Sequence, residues 1–497
     1  MTEISEVFSF FLDIRFVLIV FVGSVAGVFV GAIPGLTVTM ATALLVSFTY
    51  SWNIDMAMGM IMGIYITGVY AGAITAILIN IPGGPSNVIT TMDGYALAKK
   101  GEALKALHSC AFYSFVGSVF GLIALWLLIR PITALALKFT PMDYFLLALF
   151  GLAAVGSLTT KSFSKGLISA MFGLTASMIG IDSVVGTPRM TFGIYDLVAG
   201  IDTIPALVGL FGFSEVLSVI SEGTDKSAAA TIVNTSVKIK DILKYWFIAI
   251  PACIIGTIVG ALPGAGGPVA SFLSYGTVKR LIKKPPVPFG EGAIEGVIAS
   301  ETANNACVGG NFIPMLALGI PGDAVTAIIL SVFYIHGLRP GPMFLKTTPH
   351  IFRMILAGGI IGSFFMLALG LFLGTRLSKI ITIPKRLMLP VVAVLCVIGA
   401  FAGNNRPFDV VIMFAFGIIG YLMRRRGYAV APMTLGLVLG KMMDSQFRRA
   451  VSLAVSEDSL LPALFGRPIT IALLALTLAV VVSNIPAIQH LFRRGKK

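Results

Sequence analysis

The chain has 497 residues, of which 57% are hydrophobic and only 12% are charged. Soluble domains carry about 25% charged residues, so this composition excludes an ordinary soluble globular protein. The formal net charge of +14 would suggest nucleic-acid binding in a soluble protein, but here the basic residues lie in short loops between apolar segments, as they do in membrane proteins.

Long segments without Lys, Arg, Asp or Glu recur along the chain. Each is about as long as the roughly 20 residues that a spanning helix needs, or longer. The sequence therefore predicts an all-α polytopic membrane protein with about 10–12 transmembrane helices. The uncharged segments are residues 16–54, 56–92, 106–129, 245–278, 354–375 and 387–405.

The first half of the chain opens with an apolar helix predicted over residues 16–33. Pro34-Gly35 ends this helix, because proline lacks a backbone donor and glycine loosens the turn. A second helix is predicted over residues 36–50 and a long one over 56–80, which ends at Ile81–Ser86. The first apolar stretch is far longer than the apolar core of a signal peptide, so no cleavable signal is expected.

Further apolar spans precede a polar, basic linker over residues 221–240. A separate C-terminal transmembrane helix is predicted over residues 468–489. The spans before the linker are residues 106–129, 144–160, 163–181 and 203–220.

Three short motifs of the first half return in the same order in the second half. Any one match is weak, but three in order indicate a duplicated unit. We therefore predict a first membrane repeat over 13–220 and a second over 241–463. The matched motifs are Gly31–Gly35 with Gly260–Gly264, Ile81–Gly83 with Ile320–Gly322, and Met190–Gly193 with Met433–Gly436.

Loop charges predict that the two repeats are inverted. Trp52–Asp55 contains no cation, whereas its counterpart Lys279–Lys284 carries four. Arg424–Arg426 likewise correspond to a stretch near Ile181 without cations. Because cations mark the cytoplasmic face, matching loops are expected on opposite sides of the membrane.

The stretch from Glu301 to Asp323 combines apolar character with five acidic or amide side chains. Pro314 and the Gly319–Gly322 run are expected to break any helix drawn through it. Broken helices with polar side chains at mid-membrane depth form the substrate and ion sites of many secondary transporters. A packing kink with buried, satisfied amides is the alternative. The acidic and amide residues are Glu301, Asn304, Asn305, Asn311 and Asp323.

Each half offers two Pro-Gly breaks, after which helices restart with their positive N-termini inside the protein. Two such halves would cradle an anion without any arginine, although each glycine could instead serve tight helix packing. Asn87 also follows one of the breaks. The predicted substrate-binding residues are Pro34, Gly35, Thr37, Thr39, Asn80, Pro82, Gly83, Ser86, Pro263, Gly264, Gly266, Gly267, Asn304, Asn305, Pro321 and Gly322.

A coupling cation needs oxygen ligands or a carboxylate that carries a proton. Glu301, Asn304 and Asp323 are predicted as the ion-coupling residues for Na⁺ or H⁺, with no other cofactor. Asp93 is interpreted as a loop cap, and Glu295 as an interfacial residue.

Residues for enzymatic chemistry are not found in the sequence. The four cysteines and four histidines show no disulfide or zinc spacing. No phosphate loop, nucleophile elbow or metalloprotease helix is present, which argues against ATP-driven pumping and membrane hydrolases. Neither catalytic residues nor a metal site is therefore predicted.

Several motifs together resemble the large membrane subunit of the tripartite tricarboxylate transporters, the TctA type. The resemblance covers nearly the whole chain. Ala71, Ala73 and Asp323 depart from the expected pattern. The motifs that carry the resemblance are GAIPGLT (Gly31–Thr37), YAGAITAILINIP (Tyr70–Pro82), TMDGY (Thr91–Tyr95), EGVIASETANNA (Glu295–Ala306), GIPG (Gly319–Gly322) and Arg467-Pro468.

This resemblance implies a multi-pass permease of the bacterial inner membrane that imports a tricarboxylate-like or dicarboxylate-like substrate. It also implies a small membrane subunit of the TctB type and a periplasmic solute-binding protein of the TctC type. Uptake would be driven by an ion gradient. A stand-alone anion symporter and an anion channel remain the alternatives.

Overall fold

The computed structural model describes residues 3–33, 36–49, 51–158, 162–182, 186–222, 239–373, 385–402, 404–456 and 464–484. These residues are almost entirely helical. The strands found among them form one short antiparallel hairpin, β1 (Gly180–Ile181) and β2 (Pro188–Arg189).

The part of the chain before residue 223 forms ten α-helices in the described ranges. A 3₁₀ turn at Pro85–Asn87 precedes α5, and another lies at Tyr195–Ala199. A π-helical segment, Val208–Phe213, joins α9 to α10. The helices are α1 (Glu3–Leu12), α2 (Ile14–Gly31), α3 (Val38–Thr49), α4 (Ile54–Ile79), α5 (Val88–Lys99), α6 (Ala103–Ala136), α7 (Pro141–Leu158), α8 (Phe163–Ser177), α9 (Thr203–Leu207) and α10 (Ser214–Glu222).

The later part of the chain continues in the same way. Residues 223–238 of the predicted linker and residues 485–489 of the predicted last span lie outside the described residues. The helices are α11 (Ile239–Leu243), α12 (Trp246–Ala261), α13 (Gly266–Leu281), α14 (Ile294–Leu318), α15 (Ala324–Ile335), α16 (Phe344–Thr347), α17 (Pro349–Leu373), α18 (Lys385–Ala402), α19 (Pro407–Arg425), α20 (Val430–Ser456) and α21 (Pro468–Ser483).

Six helical segments of the described chain are long and apolar enough to cross a membrane, and shorter apolar helices accompany them. The predicted all-α polytopic membrane fold is therefore confirmed. The helix found at the predicted span 163–181 is shorter than expected, because α8 ends at Ser177 and the hairpin follows. The six segments are Ile14–Gly31, Ile54–Ile79, Ala103–Ala136, Thr203–Ser221, Pro349–Phe372 and Pro407–Arg425.

Helices α4 and α14 form the centre of the molecule. Every residue of α14 from Ile294 to Ala317 is buried, and α4 is buried over nearly its whole length. The long helix α6 packs along α14, while α17 packs along α4. A central helix surrounded by other helices can carry polar side chains that lipid would not tolerate.

Glycines spaced four residues apart let α2 and α12 approach the central helices closely. On α2, added Cβ atoms at Gly27 and Gly31 would collide with backbone atoms of α4 near Ile64 and Gly68. On α12, Gly256 and Gly260 lie in the same way against carbonyl oxygens of α14. Small residues at this spacing are a known way to bring membrane helices together.

Both central helices end in a left-handed residue before a Pro-Gly sequence. Asn80 follows α4 with φ 58°, and Gly319 follows α14 with φ 71°. The predicted breaks at residues 81–83 and 319–322 are therefore present. The predicted break at Pro314 is wrong, because α14 continues through it. Proline removes one donor, and packed neighbouring helices can tolerate that loss inside a membrane protein.

Candidate functional site

The Pro-Gly break between α12 and α13 meets the break between α14 and α15. The backbone N–H of Gly264 donates to the carbonyl of Gly322 at 2.7 Å. Gly264 has φ +75°, and a Cβ there would overlap Val155 of α7. Gly264 therefore serves the turn and close packing, and bulky residues at this position would disturb α7 before they reached any ligand.

Helix α13 starts without a capping side chain. Its N-cap residue is Ala265, which makes no side-chain hydrogen bond, and Gly266 and Gly267 form the first turn. A Cβ on Gly267 would collide with the Oδ1 atom of Asn304 and would lie 3.1 Å from the Cβ of Ser86. Ser86, Gly267 and Asn304, which are all predicted substrate-binding residues, thus come together from both halves of the chain.

Asn304 has a buried donor that no hydrogen bond satisfies. Its side chain is 2% exposed, and its Nδ2 atom has no partner within hydrogen-bond distance among the described residues. The amide faces the Glu301 carboxylate without reaching that distance. Buried donors are nearly always paired, so an unpaired one on a central helix indicates a place for a ligand or ion.

Glu301 is fully buried on α14 and receives its hydrogen bonds from the first half of the chain. Asn87 Nδ2 donates to its Oε1 atom at 3.1 Å, and the hydroxyl of Thr90 donates to the same oxygen. None of the ion pairs among the described residues includes Glu301. Its carboxylate is therefore held by neutral donors alone.

Asp323 caps the N-terminus of α15. Its Oδ1 atom accepts from the backbone N–H of Thr326 at 2.8 Å, and the Thr326 hydroxyl accepts from the backbone N–H of Asp323 at 2.9 Å. The second oxygen accepts from the hydroxyl of Tyr65 on α4 at 2.7 Å. Tyr65 in turn accepts from Asn311 Nδ2 at 2.9 Å. Asp323 thus links α15 to α4 and has no cation partner in the described chain.

The capped and uncapped helix starts lie side by side. A Cβ on Gly266 would lie 3.3 Å from the Cβ of Asp323. The negative carboxylate already complements the positive end of α15, whereas the positive end of α13 has no such partner. An anion is therefore attracted to the start of α13, and a cation to the carboxylate beside it.

Other predicted site residues have structural roles. Asn305 Nδ2 donates to Ser114 of α6 at 2.9 Å and to the carbonyl of Glu301 at 3.0 Å. The Thr37 hydroxyl accepts from the backbone N–H of Met40 at 3.1 Å and so caps α3, and Thr39 lies half-buried on the same helix. Asn80 is an exposed helix cap.

The prolines and glycines of the breaks mostly pack against other helices. Pro82 is half-buried and Pro321 is buried in its break. Gly83 donates its N–H to the carbonyl of Gly72 at 3.0 Å. Pro263 contacts Gly151, and Gly322 lies against Asn311. Pro34 and Gly35 lie outside the described residues.

Asp93 has the role of a loop cap that the sequence suggested. Its Oδ1 atom accepts from the backbone N–H groups of Gly290, Gly292 and Ala293, at 2.7–2.9 Å. Tyr275 donates to its other oxygen at 2.9 Å. These bonds fix the loop before α14 and leave no oxygen for a ligand.

Tyr65 and Thr90 were not singled out in the sequence, and Asn87 was noted only for its place after a break. Tyr65 is one of four hydroxyl-bearing side chains in the uncharged span 56–80, with Thr67, Tyr70 and Thr75, so the sequence does not distinguish it. Asn87 and Thr90 lie just after a Pro-Gly break, but their contact with Glu301 joins residues more than 200 positions apart, so local sequence does not reveal it.

Comparison with known proteins agrees with this architecture. The family model described as the tripartite tricarboxylate transporter TctA family matches residues 17–435. The chain belongs to the TctA family. It is thus a multi-pass membrane protein of a transporter family that serves tricarboxylate transport systems.

Two relatives of this TctA-family chain come from Agrobacterium vitis. The first, described as an uncharacterized 52.8 kDa protein in the TAR-I ttuC′ 3′ region, is 37% identical over 94% of this chain and 93% of its own length. The second, from the TAR-II ttuC′ 3′ region, is 39% identical over 47% of this chain and 96% of its own length. No solved structure matches the chain.

Proposed function

We propose that this chain is the large permease subunit of a secondary transporter that imports a tricarboxylate or dicarboxylate. The observation that carries the proposal is the uncapped start of α13 beside the unpaired amide of Asn304. The TctA family supports transport as the activity.

The substrate carboxylate binds at the N-terminus of α13. The free backbone N–H groups of the first turn carry partial positive charge, and the glycines there have no side chain to shield them. The side chains of Asn304 and Ser86 lie beside this turn, and Asn304 Nδ2, which is unpaired among the described residues, supplies a further donor. A site of this kind needs no arginine, and none occurs in the segments around the breaks.

Coupling depends on two carboxylates, those of the buried Glu301 and the half-buried Asp323. An isolated charge at the centre of a membrane costs about 2.5–3.5 kcal/mol on insertion scales. Glu301 and Asp323 have neutral partners only, so a bound Na⁺ or a proton would offset this cost. The ion and the anionic substrate would then occupy neighbouring places and reinforce each other's binding.

Inverted repeats would supply the two halves of this site. We assign them to residues 13–220 and 241–463, joined by the linker 221–240 and followed by the C-terminal helix 468–489. The glycine contacts of α2 with α4, repeated by α12 with α14, support the duplication. The left-handed caps Asn80 and Gly319 support it further.

Contacts between loops support opposite sidedness for the two repeats. His336 Nε2 lies 3.2 Å from the carbonyl of Trp52, so the loop before α4 and the loop after α15 lie at the same end of the helices. Lys100 Nζ donates to the carbonyl of Glu291 at 2.7 Å, so the end of α5 and the loop before α14 also lie together at one end of the helices. The second of these ends includes the basic residues Lys279–Lys284, so it is assigned to the cytoplasm.

The complete transporter includes partners of the types that the family implies. A small TctB-type membrane subunit would assemble with the chain in the bacterial inner membrane. A TctC-type binding protein would deliver the carboxylate from the periplasm. A stand-alone symporter or an anion channel would need no binding protein.

Uptake into proteoliposomes tests the proposal. The two membrane subunits are reconstituted, and labelled citrate uptake is measured with and without the binding protein, under Na⁺ and pH gradients. Saturable uptake that needs both the binding protein and a gradient is expected. Gradient-driven uptake without the binding protein would instead support a stand-alone symporter, and non-saturating flux would support a channel.

A further inference from the structure

A cavity lined by none of the proposed substrate-site residues is present in the described chain. It lies between the C-terminal part of α6 and the region where α16 leads into α17, and its volume is about 330 Å³. Two cationic residues, Arg130 and Lys346, line it. Both cations are exposed at the surface of the chain.

The position of this cavity along the helices corresponds to the membrane boundary. Helix α6 has 34 residues and is therefore about 51 Å long, well beyond the roughly 30 Å of a hydrocarbon core. Arg130 lies near its C-terminal end. Lys346 lies on α16, just before the apolar span Pro349–Phe372 begins. Both cations thus lie at the depth of lipid headgroups.

Thr133 supplies an unsatisfied polar atom in the wall of the cavity. Its side chain is only 7% exposed, and its hydroxyl has no hydrogen-bond partner among the described residues. A threonine inside a helix commonly donates to the carbonyl four residues earlier, but Thr133 does not. An acceptor within the cavity would satisfy this hydroxyl.

The remaining walls of the cavity are apolar. Leu137 and Leu345 line it together with the buried ring of Phe352. A small soluble anion gains nothing from such walls, whereas an amphiphile can cover them with the start of its acyl chains. Cationic side chains at headgroup depth also attract anionic lipid headgroups electrostatically.

We propose that this cavity binds the phosphate headgroup of an anionic phospholipid. Arg130 and Lys346 pair with the phosphate, and the Thr133 hydroxyl donates to one of its oxygens. The acyl chains leave the cavity along Leu137, Leu345 and Phe352.

Lipid titration followed by native mass spectrometry tests this proposal. The full chain is purified in detergent and titrated with phosphatidylglycerol or phosphatidylcholine. Wild type is expected to bind phosphatidylglycerol more tightly. Arg130→Gln and Lys346→Gln should each weaken that binding about fivefold, the equivalent of about 1 kcal/mol per cation near a lipid headgroup. Thr133→Val should also weaken it while phosphatidylcholine binding stays unchanged.

Lys138→Gln is the matched control, because Lys138 is an exposed cation close to the end of α6 that does not line the cavity. It should retain wild-type binding. Equal loss in Lys138→Gln, or full retention in the Arg130→Gln/Lys346→Gln double variant, would overturn the proposal. If the double variant does not fold, the single variants and Thr133→Val carry the test.

Competition with inorganic phosphate shows whether the cavity binds a lipid phosphate or a soluble one. Added in equal concentration, inorganic phosphate should not displace phosphatidylglycerol, because it lacks the acyl chains that contact the apolar walls. Displacement would mean that the cavity is a site for a soluble anion, and the lipid assignment would be wrong.

Discussion

Asn304 and Asn305 are adjacent in the sequence but differ in what their amides do. The amide of Asn305 braces α14 against α6, while Asn304, whose amide oxygen lies beside the start of α13, has a donor that is unpaired among the described residues. The amide of Asn305 therefore has a structural role, whereas a bound substrate would satisfy the donor of Asn304. The sequence predicted substrate binding for both residues and ion coupling for Asn304 alone.

Asn304→Asp keeps the shape of the side chain but places a negative charge beside the proposed carboxylate site. We expect the half-saturating substrate concentration to rise at least about tenfold, since a like charge nearby costs more than 1.4 kcal/mol. Labelled citrate uptake at graded concentrations measures this shift.

Asn305→Ala is the matched comparison for Asn304→Asp. It should lower thermal stability in detergent, by about 1–3 kcal/mol for the buried groups left unpaired, while substrate affinity stays close to wild type. An affinity loss in Asn305→Ala without any loss in Asn304→Asp would reverse the two roles.

Glu301 and Asp323 are both proposed to carry the coupling charge, but only Asp323 also caps a helix. Substitutions that remove the charge and keep the cap test the two roles separately. Glu301→Gln removes one carboxylate, and Asp323→Asn removes the other while keeping a residue that caps helices equally well. Both variants should still exchange internal for external substrate but should lose gradient-driven accumulation. Under proton coupling, Glu301→Gln abolishes the response to the pH gradient. Under sodium coupling, it raises the half-saturating Na⁺ concentration. Wild-type accumulation in both variants would make the two carboxylates structural.

At the scale of elements, the C-terminal helix α21 is fastened to the rest of the chain by an ion pair between a partly exposed arginine and a buried aspartate. Arg467 donates to Asp143 at 3.0 Å and to the carbonyl of Lys138 at 2.7 Å. Asp143 is fully buried and also accepts from the hydroxyls of Thr140 and Thr470. These contacts join the start of α21 to the loop between α6 and α7.

Arg467→Gln should therefore loosen α21 without touching the transport site. Because Asp143 keeps its threonine partners, we expect a loss of about 1–3 kcal/mol in the free energy of unfolding. Thermal unfolding in detergent measures the loss, and substrate affinity at low temperature should match wild type. An unchanged melting temperature would show that the pair contributes nothing to stability.

The helices were more predictable than the contacts between them. Apolar length identified α4, α6 and α17, and Pro-Gly sequences identified the ends of α4 and α14, because both signals are local. Pro314 misled the prediction, since the packing around α14 outweighs the lost hydrogen bond. The links of Tyr65 to Asp323 and of Asn87 to Glu301 depend on how distant segments pack, which local patterns do not encode.

At the scale of the whole molecule, the inverted arrangement predicts the sidedness of matching loops. Single cysteines that replace Trp52 and Lys283 in a cysteine-free background should react with a membrane-impermeant maleimide from opposite faces. The four native cysteines are buried, so each is replaced by alanine, which places no unpaired hydroxyl in the interior. Labelling of both positions from the same face would mean that the repeats are not inverted.

The proposed carboxylate site is tested most directly by two glycines on one helix. A Cβ at Gly267 would collide with Asn304 at the start of α13, whereas a Cβ at Gly276 meets no atom within 4 Å. Labelled citrate exchange is measured in proteoliposomes with equal amounts of inserted Gly267→Ala, Gly276→Ala and wild-type protein. Exchange needs the substrate site but no gradient. We predict wild-type exchange for Gly276→Ala and at least about a tenfold loss for Gly267→Ala, because small displacements in a positioned site cost large factors. Wild-type exchange in both variants would contradict a substrate site at the start of α13.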